Sequence, residues 1–262
     1  MASIPLAYDD TGGPGSLVIL LPGAGDVRSE NRYLVRNLAE AGYRVINADL
    51  PGHGESPAAG SYGVAETAEA LLALIHGLGN GPACVIGTSF APAAAVWAAA
   101  TEPERIRAVV AISPHLEAEE SLSGWLLGAV ISVLLRGPWA AWVWSRLYRS
   151  WYKGREPDDL SEEINKMQVM LKDASRRRAV RETLIAHRKG MSDKIDAYTS
   201  PALVVFGSAD NHFPDPAAEA TRVSSGLHGE LVMVEGAGHY PHVERSDIVG
   251  PAVVDFLDRV TR

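Results

Sequence analysis

The segment Pro82–Ala100, PACVIGTSFAPAAAVWAAA, constrains the fold of this chain more than any other. Four apolar residues, Ala83, Cys84, Val85 and Ile86, run straight into Gly87-Thr88-Ser89-Phe90-Ala91, and an alanine-rich stretch follows at once. A short uninterrupted apolar run suits a strand buried on both faces, and the alanine stretch suits a helix packed all round. A strand that turns into a helix within a few residues leaves no room for large side chains beside the turn. Gly87 and Ala91, two positions either side of Ser89, meet that requirement. A serine so placed is what a nucleophile elbow needs, but Ser is also a preferred helix cap, and the segment alone leaves both roles open. Pro92 is tolerated only in a first helical turn, which starts the helix close to Ser89.

The flanking sequence repeats the strand-then-helix unit. Ser16–Leu21 is an apolar run ended by Pro22-Gly23-Ala24-Gly25, and Asn31–Ala41 carries Leu34, Val35, Leu38 and Ala41 at helical spacing. Tyr43–Ala48 reads as a strand, Val64–Leu78 as a helix and Ile106–Ile112 as a strand. The alternation stops between about residues 114 and 200, where helical patterns dense in Trp and Arg take over. It resumes with a strand at Ala202–Phe206, a helix near Asp215–Ser225, a strand near Glu230–Val234 and a last helix near Val243–Val260. The pattern predicts an α/β fold with a mostly parallel central sheet and helices on both faces. The core comprises residues 1–113 and 201–262, with a helical insertion, residues 114–200, between two strands.

Composition excludes several classes. A net charge of -8 argues against nucleic acid as a partner. The lone cysteine, Cys84, forbids an internal disulfide and lies in an apolar run, where a buried inert thiol is expected. The first residues, MASIPLAYDDTGG, lack the basic start and apolar core of a secretion signal, so a cytoplasmic location is expected. Leu122–Leu135 is apolar but shorter than the ~20 residues a bilayer span needs. No transmembrane segment is expected.

A serine hydroxyl is a poor nucleophile until a base takes its proton and a third group orients that base. Asp210, in Gly207-Ser208-Ala209-Asp210, directly follows one strand, and His239, in Gly236-Ala237-Gly238-His239, directly follows the next. Each has a bland role in isolation, a turn or cap aspartate and a loop histidine. Together with Ser89 they fall at one edge of the sheet, in the chain order Ser, Asp, His, where open α/β sheets place their sites. An oxyanion needs backbone N–H groups preorganised where charge develops. The Phe90 amide supplies one, and the second comes from the glycine-rich loop, at Ala24 with Gly25 as the alternative. No lysine follows those glycines, which disfavours a phosphate-binding loop.

The pieces LLPGAG, NADLPGHGES, CVIGTSFA, VVFGSADNHF and EGAGHYPHVE together resemble the α/β-hydrolase superfamily. The resemblance implies Ser89 as nucleophile, His239 as general base and later acid, and Asp210 as orienting acid, with no cofactor and no metal. His242 resembles a second, structural histidine, and DLPGHGES an architectural turn. Ala91 departs from the final glycine of the usual elbow, and Pro22 stands where many relatives carry His. The insertion corresponds to a cap, with Trp125, Trp139, Trp142, Trp144 and Trp151 among the six tryptophans of the chain. An apolar lid that roofs an acyl or aromatic pocket is favoured over a lipid-surface or partner-binding role, with Gly25, Trp125 and Trp142 touching substrate. The expected activity is hydrolysis of a carboxylic ester through an acyl-enzyme. A thioesterase or lactonase, a lyase or cyclase on the same fold, and a non-catalytic binding protein are the alternatives. A small acyl substrate, apolar or aromatic, is the expected partner, and a homodimer is left open.

Overall fold

The computed structural model describes residues 4–79, 81–117, 130, 133–186 and 188–261. Seven strands form one sheet: β1 (Tyr8–Asp10), β2 (Leu17–Leu21), β3 (Arg44–Ala48), β4 (Ala83–Thr88), β5 (Ile106–Ile112), β6 (Ala202–Gly207) and β7 (Glu230–Val234). Their spatial order is β1-β3-β2-β4-β5-β6-β7. Every neighbouring pair is parallel except β1 with β3. The edge strand β1 has no sequence signature: all three residues are exposed, so it carries no apolar alternation to read.

The central strands β2, β4 and β6 are buried along their whole length. One face packs against α2 (Val64–Leu78) and α3 (Ala91–Thr101) through Leu71, Ile75 and the alanines of α3. Alanine lets α3 sit close on all sides, which is why eight of its eleven residues are buried. The other face packs against α1 (Arg32–Glu40) and the C-terminal helix Ser246–Thr261 through Leu34, Leu38, Val253, Phe256 and Leu257. The expected single last helix is two, Pro241–Glu244 and Ser246–Thr261, because Arg245 takes φ −133°, ψ 52° between them.

Between β5 and β6 the described residues are helical: α4 (Ala140–Ser150), α5 (Leu160–Met170), α6 (Ala174–Leu184) and α7 (Met191–Asp196). Trp144, Tyr148, Leu160, Met167 and Val180 form their own cluster, which reaches Tyr240 and Val243 of the His239 loop. Met191 and Tyr198 instead join the sheet core. The turn Asp49–Ser56 anchors this segment: Arg176 donates to the carbonyls of Ser56 and His53, and the Gly54 N–H to Met170 Sδ. The arginine cluster 176–178 is therefore partly a docking contact. Among the described residues no helix is long and apolar enough to cross a membrane. Burial pushes the Cys84 thiol up to about 12, which keeps it protonated and inert.

Candidate active site

Ser89 sits at φ +59°, a left-handed conformation that L-residues adopt at a cost of about 1–3 kcal/mol. Strand β5 and the loop after it hold it there. Its N–H donates to the Ile112 carbonyl of β5 at 2.9 Å, and its own carbonyl accepts the His115 N–H at 2.9 Å. The turn is tight enough that a Cβ on Gly87 would lie 2.8 Å from Pro92 N and 3.0 Å from the Ala91 methyl. Ala91 is thus accommodated because Gly87 has no side chain to meet it.

β6 ends at Gly207, and Asp210 follows on a turn closed by the Asp210 N–H to the Gly207 carbonyl. The His239 loop crosses directly over Gly207, where a Cβ would lie 2.1 Å from the Gly238 carbonyl oxygen. This close approach brings Asp210 Oδ2 to 2.8 Å from His239 Nδ1, with both side chains buried. Asp210 Oδ1 accepts the His212 N–H at 3.0 Å. Burial alone would raise the Asp210 carboxyl; the facing His239, their hydrogen bond and the His212 amide together hold it below its ordinary value. His239 Nε2 is buried and, among the described residues, has no hydrogen-bond partner. A histidine tied at Nδ1 to a carboxylate and free at Nε2 is arranged to accept a proton.

The glycine-rich loop lies against the serine: a Cβ on Gly23 would be 3.4 Å from Ser89 Cβ. Ala24 and Phe90 are both buried, and among the described residues neither amide donates a hydrogen bond. Buried residues whose backbone N–H groups lack a partner are rare in folded proteins.

A family model of the alpha/beta hydrolase fold matches residues 16–246. The chain belongs to the α/β-hydrolase fold family. It is 27% identical over 268 residues to the dihydrolipoyllysine-residue acetyltransferase component of an acetoin cleaving system of Pseudomonas putida, covering 96% of this chain but 66% of that protein. It is 28% identical over 269 residues to a 2-hydroxy-6-oxononadienedioate/2-hydroxy-6-oxononatrienedioate hydrolase of Burkholderia vietnamiensis, covering 96% of this chain and 90% of the relative. Among solved structures, an esterase from Thermogutta terrifontis superposes with a TM-score of 0.82 at 23% identity over 98% of this chain and 94% of the other, a likeness of fold.

In this α/β-hydrolase the helical segment meets the sheet edge that carries Ser89, Asp210 and His239 through residues that sequence reasoning did not assign to the site. Trp144 lies on Gly25, where a Cβ would be 2.1 Å from its ring, and its buried Nε1 has no partner among the described residues. Trp151 accepts the His239 N–H on its carbonyl at 3.0 Å and meets the His212 ring edge-on at 4.7 Å. Trp142 is not where expected: it is 64% exposed, with Arg146 over its ring. Two residues along a helix is a rotation of about 200°, so Trp142 faces out because Trp144 faces in. The recurrence of Trp144, Tyr148, Trp151 and Tyr152 at helical intervals was the available signal. Trp125 lies outside the described residues. Gly25, expected to touch substrate, is covered by Trp144.

Two buried acids support this edge. His242 Nε2 lies 2.5 Å from Glu30 Oε1, both buried. Glu244 accepts the Gly238 N–H on Oε1, and the Lys153 and Gly154 N–H groups on Oε2, at 2.8, 3.1 and 2.6 Å. It therefore staples the helical segment to the loop that carries His239. Glu244→Ala orphans all three donors and is expected to lower stability by roughly 2–4 kcal/mol, read as a fall in Tm by thermal melting.

Proposed function

We propose that this protein hydrolyses a carboxylic ester, or a closely related acyl bond, through an acyl-enzyme on Ser89. The observation that carries the reading is the buried Asp210–His239 pair, free at Nε2, at the sheet edge where Ser89 is held at positive φ. His239 Nε2 takes the Ser89 proton as Oγ attacks the substrate carbonyl, and Asp210 stabilises the resulting imidazolium. The Phe90 and Ala24 N–H groups hold the oxyanion. His239 then gives the proton to the leaving oxygen, which departs as an alcohol. A water molecule deprotonated by His239 attacks the acyl-enzyme, and the acid leaves as Ser89 recovers its proton. The segment between β5 and β6 acts as a cap over this chemistry, with Trp144 and Trp151 at its inner face.

Arg188 supports a narrower substrate class than the apolar one read from the sequence. Its guanidinium approaches the Phe90 ring at 5.9 Å, and among the described residues its Nε is buried without a partner. Burial pushes it down from 12.5 to about 10, so it stays protonated at neutral pH. A half-buried cation whose Nε is buried and unpaired, beside the Phe90 ring, suits a substrate with its own carboxylate. The Burkholderia relative carries a dioate in its name. Arg188→Leu is expected to lower kcat/KM for a dicarboxylate monoester by about 10²-fold while leaving a neutral ester of equal length nearly unchanged. Equal losses on both esters would remove the anion-binding role. The hydrolase reading itself is tested by a fluorophosphonate probe on native protein, with the adduct expected on Ser89 by peptide mass spectrometry. Folded protein that turns over no ester and takes no label sinks it.

A further inference from the structure

Three histidines converge at the catalytic edge, and the proposed reaction uses one. His115 follows β5, His212 follows Asp210, and His239 is the base; a ring nitrogen of each lies within 4.8 Å of the other two. His115 Nε2 and His212 Nδ1 are 3.3 Å apart. The His212 ring stacks on His239 with centroids at 3.7 Å and planes at 22°. His115 is held in turn by stacking on Phe213 at 4.5 Å.

We propose that His115, His212 and His239 form a binding site for a zinc-class divalent cation, and that its occupation switches the hydrolase off. This rests on His239 being the base.

Neutral imidazole is a preferred ligand of Zn²⁺, and three histidines with an open fourth position is a known coordination set. Zinc–nitrogen bonds of about 2.0–2.1 Å place tetrahedral ligands about 3.4 Å apart. The hydrogen bond between His115 Nε2 and His212 Nδ1, at 3.3 Å, has the length of that edge, and its donor must move the proton to its other ring nitrogen for both to bind the ion. His239 must turn or shift out of its stack to bring Nε2 to the same spacing, since stacked rings point their lone pairs side by side. The carboxylate on the far side of His239 fits as well. Asp210 on Nδ1 is the outer-shell partner that fixes the tautomer of metal-bound histidines and makes the free nitrogen a better ligand. Arg188 opposes the ion, since its charge reaches His115. An anionic fourth ligand, hydroxide or chloride, offsets that repulsion. A cation on Nε2 occupies the lone pair that would take the Ser89 proton, so binding and turnover exclude one another.

The test uses the full-length chain and zinc sulfate alone. Equilibrium dialysis is expected to find one zinc per chain, with affinity reduced at least about 100-fold in His115→Gln and in His212→Gln. Ester turnover of native protein should fall to background at saturating zinc and return with EDTA, whereas magnesium, an oxygen-seeking ion, should do neither. His115→Gln should retain turnover without zinc and resist the inhibition. Native protein that binds no zinc, or both variants binding as native does, overturns the site; zinc bound without inhibition overturns the switch. A failure of the hydrolase reading is seen separately, because fluorophosphonate labelling would be absent while zinc binding by dialysis persisted.

Discussion

Ser89→Ala is expected to abolish ester turnover, by about 10⁶ in kcat if it follows serine proteases that lose their nucleophile, and to remove fluorophosphonate labelling altogether. The fold should survive. Oγ of Ser89 makes no hydrogen bond among the described residues, while the backbone is held from both sides by Ile112 and His115. Ala keeps the Cβ and the strain at φ +59°, so stability should stay within about 0.5 kcal/mol of native. Ser89→Gly makes the complementary case. Glycine takes positive φ without cost, so this variant is expected to be equally inactive but about 1 kcal/mol more stable, read from paired thermal melts. A Ser89→Ala protein that still labels would assign the chemistry elsewhere.

Asp210→Asn is expected to lower kcat by about 10⁴ with the binding of substrate largely kept. The geometry explains the size of the loss. Oδ1 accepts the His212 N–H, and that bond survives in Asn if its carbonyl oxygen takes the same place. The amide NH₂ then faces His239 Nδ1, where Oδ2 now stands at 2.8 Å. An NH₂ donor facing Nδ1 forces the imidazole proton onto Nε2, the nitrogen that must be empty to accept from Ser89. The check is kcat on a saturating ester, with fluorophosphonate labelling slowed in proportion. A second readout follows from the carboxyl being held below its ordinary 3.8 in the folded state. Such a group favours folding above its unfolded-state value, and that contribution fades as pH falls through the folded one. The Tm gap between native and Asp210→Asn should therefore narrow as the pH is lowered below about 4.

Much of the core was legible because each element announces itself within a few residues. The run of β4 into the alanine helix, the helix Val64–Leu78 and the strands at Ile106–Ile112 and near Glu230–Val234 follow from local apolar pattern, and the structure has the helix and the strand Ile106–Ile112 at those bounds. β1 escaped because an exposed edge strand is held by pairing with β3, a contact that leaves no mark on its own residues. The arginines 176–178 have the composition of a wet surface, whereas Arg176 spends its donors on the carbonyls of a distant turn, a contact that nothing in the local sequence announces.

The candidate site divides along the same line. Ser89, Asp210 and His239 could be named from sequence because each lies at the end of a readable strand, and parallel strands deliver their ends to one edge. That Asp210 touches His239 at all depends on Gly207 letting the Gly238 carbonyl pass at close range, a crossing between loops 29 residues apart in sequence. Which tryptophan faces inward was decided by the rotation of one helix over Gly25, and the meeting of His115 with His212 and His239 by the order of β5 and β6 in the sheet. The sequence by itself determined the strand-and-helix alternation and the residue types at the strand ends, because those are set by neighbours along the chain. Only the tertiary structure decided which buried groups share a partner and which are left free, because burial and proximity between distant segments exist only once the sheet has assembled.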